Sequence, residues 1–73
     1  MYNKAKQHLK SIISSCDNNT VAIMDDDLFY ESNGKVIWDQ KFQWGVFFDD
    51  IINDSEFITD IDNMQLIVQL KTN

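Results

Sequence analysis

Seventy-three residues, 44% of them apolar and including two Trp, two Tyr and five Phe, suffice for one folded domain over 1–73 and no more. A single cysteine, Cys16, excludes an internal disulfide framework. Six Lys and no Arg against twelve Asp and Glu give a net charge of −6, a field that repels nucleic acid. The longest apolar runs, such as Leu66-Ile67-Val68, are far too short to span a bilayer, and the lysines near the start have no apolar stretch behind them. The expected location is therefore the cytoplasm.

Residues 2–16 read as a helix. Tyr2, Ala5, Leu9, Ile12, Ile13 and Cys16 recur at spacings of three and four, and Lys4, Lys6, Gln7, Lys10, Ser11 and Ser14 take the other face. Asp17-Asn18-Asn19 ends it. Thr20 to Met24 is β-branched and apolar and reads as a strand. Asp25-Asp26-Asp27 breaks it, as a turn or a bulged edge, and Leu28 to Glu31 resumes. Asn33-Gly34 is the strongest local signal, because the pair tolerates the two positive φ angles of a type I′ hairpin turn. Val36 to Lys41 then returns, with Val36, Trp38 and Gln40 on one face.

Gln43 to Asn53 reads as a second helix on the spacing of Trp44, Phe47, Phe48, Ile51 and Ile52. Gly45 weakens its first turn, since Gly costs about 1 kcal/mol relative to Ala in a helix. Residues 54–62 admit two readings: a short helix capped by Asp54-Ser55, which is preferred, or a strand with Phe57, Thr59 and Ile61 on one face. Met64 to Lys71 alternates as a strand. The expected architecture is α+β: a small antiparallel sheet of three to four strands with two helices packed on one face. If the last strand lies at an edge, a homodimer through that edge is open to it.

The residues offer little for catalysis, and the chain is expected not to be an enzyme. One Cys and one His do not make a zinc site. Asp60-Ile61-Asp62-Asn63 starts like a calcium loop but has Gln65 and Lys71 where Gly and Glu are needed. His8 and Cys16 stand about 12 Å apart along one helix, too far to form a dyad. Cys16 reads as a small core residue and His8 as a solvated side chain between lysines. No cofactor motif is present.

Charge carries more information. Residues 1–16 hold Lys4, Lys6 and Lys10 and no acid, so all twelve acids fall after them. Asp49, Asp50, Asp54 and Glu56 are expected on the solvent side of the second helix, with Asp60 and Asp62 extending the patch. Asp25, Asp26, Asp27 and Glu31 form a second cluster near the hairpin. Rows of carboxylates about 6–7 Å apart imitate the charge density of a phosphate backbone. Among the aromatics, Tyr30 beside Glu31 is the first choice for an exposed anchor.

In length, acidity, short sheet and the Asp-Asp-Ile-Ile-Asn-Asp-Ser-Glu-Phe segment at 49–57, the chain resembles the small acidic inhibitors that phages and other mobile elements direct against host nucleic-acid machinery, including DNA-mimic and anti-CRISPR proteins. The lysine-bearing first helix departs from a uniform DNA mimic. The resemblance implies an inhibitor of a basic, nucleic-acid-binding host defence protein. Alternatives are an immunity protein or antitoxin against a toxin enzyme, and a self-associating assembly protein.

Overall fold

The structure, a computed structural model, describes residues 1–71. The first apolar stripe forms helix α1, Tyr2–Ser15, which buries Ala5, Leu9, Ile12 and Ile13. Its C-terminal carbonyls, which have no partner within a helix, are met from outside: the Cys16 N–H bonds Ile12 O at 2.9 Å, and Asn19 Nδ2 reaches Ile13 O at 2.9 Å. Asn19 takes a positive φ of 52°, turning the chain into β1, Thr20–Met24.

A two-residue turn at Asp25-Asp26 leads to β2, Asp27–Ser32, and the expected Asn33-Gly34 turn leads to β3, Lys35–Asp39. Asn33 and Gly34 have φ of 55° and 77°, the pair of positive angles that a type I′ hairpin requires. The Asp17 carboxylate accepts both turn amides, from Asn33 N at 3.2 Å and Gly34 N at 3.1 Å, and so ties the end of α1 to this hairpin.

The expected single helix over 43–53 is instead a 3-10 turn, Trp44–Phe47, followed by the short helix α2, Phe48–Ile52. The cause is the β1–β2 turn. Trp44 N donates to Asp26 O at 3.1 Å, which ties the start of the segment to that turn, and Gly45 packs where a Cβ would collide with Asp25 and Asp26. The buried residues are Trp44, Phe47 and Ile51; Ile52, expected on the apolar stripe, is 43% exposed.

The preferred helix over 54–62 is not formed. Phe57–Asp62 is strand β4, in agreement with the alternative reading. Asn63 and Met64 both take positive φ, 50° and 65°, and make a third tight hairpin to β5, Gln65–Leu70, so Met64 belongs to the turn and not to the strand. Local propensity was ambiguous here, and the long-range partner decided: β5 pairs with β4 on one side and with β1 on the other.

The sheet therefore has five strands, all antiparallel, in the order β3-β2-β1-β5-β4. The last strand is interior; the edges are β3 and β4. Helices α1 and α2 and the 3-10 turn lie on one face, as expected, and close a core of Leu9, Ile13, Val21, Ile23, Leu28, Trp44, Ile51, Leu66 and Val68. The other face carries no helix.

Candidate functional site

The carboxylates singled out from the sequence fall into two groups. Asp54 and Glu56 are engaged by ion pairs within the molecule, Glu56 while still half-exposed. Tyr2, Lys6 and Lys10 are spaced by four along α1, so they line one side of the helix. Tyr2 OH donates to Asp54 Oδ2 at 2.7 Å, Lys6 Nζ lies 2.8 Å from the same oxygen and also pairs with Glu56, and Lys10 Nζ donates to Glu56 Oε1 at 2.9 Å. Burial by itself raises the Asp54 carboxyl, but Lys6, the Glu56 backbone N–H and the Tyr2 hydroxyl outweigh it and bring it down to about 2. Burial, and then Asp54 itself, push the Tyr2 hydroxyl well above the usual phenol range. Lys10 and then Lys6 hold Glu56 low. These two acids fasten α1 to the α2–β4 connection, and they do not extend an outward row from Asp49 and Asp50.

His8 is also not the solvated side chain expected. On the other flank of α1 its Nε2 lies 2.7 Å from Asp39 Oδ2, and its ring stacks on Trp44 at 6.1 Å and 17°. Burial would raise Asp39, but His8, the Lys41 backbone N–H at 2.9 Å and the field of the Trp44 indole hold its carboxyl below the ordinary value. Trp44 Nε1 is buried and meets no hydrogen-bond partner among the described residues. Pairing with His8 pins the end of β3 beneath α1. Cys16 is buried, its Sγ directed at Ile13 O and Thr20 O, as a core thiol.

The remaining acids are outward-facing and make no ion pair among the described residues: Asp25 and Asp26 at the β1–β2 turn, Asp27 and Glu31 on β2, Asp49 and Asp50 on α2, Asp60 and Asp62 on β4. They do not form one patch. Strand alternation puts Asp27, Glu31, Asp60 and Asp62 on the helix-free face, whereas Asp49 and Asp50 belong to the helix layer. Among the described residues, no three His, Cys, Asp or Glu side chains gather where a metal ion could be held. No helix among them is long and apolar enough to cross a membrane.

The apolar groove on the helix-free face is what the sequence reading missed; Gln65 and Gln69 do lie on this side, as expected for the solvent face of the last strand. Cross-strand register aligns Trp38, Phe29, Ala22, Ile67 and Asp60 in one row across all five strands. Trp38 is 52% exposed and leans on Phe29, with ring centroids 4.8 Å apart. Tyr30, expected to be the exposed aromatic, points to the opposite face and packs against the core. A shallow groove of about 370 Å³ lies over Ala22, with Met24, Phe29, Val36, Trp38 and Glu31 among its walls. Val36 and Ile58 add further exposed apolar surface on this side. The alternation of Val36 and Trp38 was visible in the sequence. Which of the two faces of β3 the helices would cover was not.

Fold and face together define a small α+β protein with a helix-covered sheet and one bare, apolar, acid-flanked side. Comparison with protein-family models, with curated proteins and with solved structures gives no significant match for the chain.

Proposed function

We propose that this chain is an acidic binding protein that occupies a basic, nucleic-acid-binding surface of a host defence protein, in the manner of DNA-mimic and anti-CRISPR inhibitors. The observation that carries the reading is the disposition of charge. Two of the three lysines of α1 are neutralised by Asp54 and Glu56, while eight other carboxylates stand outward with no cation paired to them. Such a surface accelerates encounter with a positively charged partner and disfavours acidic ones. The basic helix, which departs from a uniform DNA mimic, is thereby reconciled with an acidic exterior.

The test is affinity capture from a lysate of the native host at low and moderate salt, with an Asp49→Lys/Asp50→Lys/Asp60→Lys/Asp62→Lys variant alongside. The expected result is a nucleic-acid-binding protein retained by the wild type, released by salt or by competing DNA, and not retained by the variant although its circular dichroism is unchanged. Equal capture by both proteins would remove the charge argument. Recovery of the chain alone would favour self-association.

A further inference from the structure

The helix-free face combines two features that need each other. Its floor is apolar: the row Trp38–Phe29–Ala22–Ile67 runs across four strands, and the small Ala22 leaves a notch between Phe29 and Ile67. Its margins are acidic: Asp27 and Glu31 on β2 face Asp60 and Asp62 on β4 across three strand spacings of about 4.8 Å, or roughly 14 Å. No lysine of the five strands lies on this face.

The geometry points to a docking surface for a basic amphipathic helix of a partner protein, an inference that rests on the acidic-binder reading and says where and how the partner is held. A helix about 10–12 Å across fits between the two carboxylate margins. Its apolar stripe would lie on Phe29 and Ile67 with one side chain in the notch over Ala22, and Lys or Arg on its flanks would meet Glu31 and Asp27 on one side and Asp60 and Asp62 on the other. The exposed Trp38 ring, at the sheet edge, is placed to receive a flanking cation on its face. A second copy of the chain is a poorer occupant, because face-to-face packing would set these carboxylates against their own kind. Anionic lipid and nucleic acid are repelled for the same reason.

The experiment is an amide chemical-shift titration of the isotopically labelled protein with an 18-residue Leu/Lys amphipathic helical peptide, and with the Leu/Glu peptide of the same pattern. The expected result is saturable shifts at Ala22, Phe29 and Ile67 and at the Trp38 indole with the Lys peptide only. Trp38→Ala and the pair Glu31→Lys/Asp60→Lys each weaken binding at least tenfold, and Asp49→Asn/Asp50→Asn, in the helix layer, weakens it by much less than either. Shifts centred on Asp49 and Asp50, or on the Asp25-Asp26 turn, would overturn the docking face and leave the acidic-binder reading standing. Absence of any binding by the Lys peptide would overturn the docking face and leave the acidic-binder reading to the lysate capture. Equal binding of the Glu peptide would overturn the charge pairing. Concentration-dependent shifts of the same amides without peptide would make a second copy the occupant and overturn the inference.

Discussion

Gly45 sits against Asp26 so closely that a Cβ on the glycine would stand 2.6 Å from Asp26 Oδ1 and 2.9 Å from the Asp25 carbonyl oxygen. The aspartate side chain can swing away; the backbone carbonyl cannot, because the same turn accepts the Trp44 N–H. Gly45→Ala should therefore force the β1–β2 turn and the 3-10 turn apart and cost about 1–3 kcal/mol, as overpacking does. Urea unfolding measures it. Asp26→Gly, combined with Gly45→Ala, should recover only a minor part, since the Asp25 contact persists; full recovery would assign the crowding to the Asp26 side chain alone.

The Asp17 carboxylate holds both amides of the Asn33-Gly34 turn, so this acid is structural although it is exposed. Asp17→Ala should cost about 1 kcal/mol, the usual worth of such hydrogen bonds when water can partly replace them. Amide exchange at Asn33 and Gly34 should accelerate relative to β1. Asp17→Asn, which keeps one acceptor, should fall between the two.

Helix α1 and the Asn33-Gly34 hairpin were legible because each is written in a short window: an apolar spacing of three and four, and two residues tolerant of positive φ. What escaped reading was decided at long range. Phe57–Asp62, within the ambiguous 54–62 stretch, became a strand because β5 offered a partner already paired to β1, and nothing in Asn63-Met64 announces two positive φ angles. His8 and Asp39 are 31 positions apart, and Tyr2 and Asp54 are 52 apart. Tyr2 was placed on the apolar stripe and Lys6 and Lys10 on the opposite face, although the three stand four apart, and their acidic partners look, in sequence, like members of the 49–62 acid run. Tyr30 rather than Trp38 was taken as the exposed aromatic for a related reason: alternation sorts side chains into two faces, and for β2 and β3 only the packing of the helices decides which one is covered.

Cys16, the single thiol, is buried between the end of α1 and β1. It should react with a thiol reagent only through opening of the fold. Labelling in native buffer is expected to be slow, and to accelerate in urea in step with the loss of structure. Gly45→Ala, by lowering stability, should speed it by roughly tenfold for each 1.4 kcal/mol lost, provided that labelling follows global opening. Rapid labelling of the wild type would show that the α1 end frays independently of the core.

Acid should weaken the grip of α1 through Asp54. Its folded pKa of about 2 lies below the ordinary value of 3.8, so the contribution is fully present above about pH 4 and is lost as the pH falls through 2. The pair lies near the surface, so its worth should stay within about 1 kcal/mol. Asp54→Asn should be less stable than wild type at pH 7, and the gap should close between pH 4 and 2. Asp39 and Glu56, both also held low, would account for acid loss that remains in the variant. Carboxyl carbon shifts of Asp54 provide the direct reading. The wild type should titrate near 2, Lys6→Met should move the midpoint up toward the ordinary value, and Tyr2→Phe, which keeps the ring against Phe47 but removes the donor, should move it less. An Asp54 that titrated near the ordinary value of 3.8 would mean that Tyr2 and Lys6 do not hold it in solution. The carboxylate would then return to the outward-facing set, and the acidic surface would extend from α2 to the β4 edge.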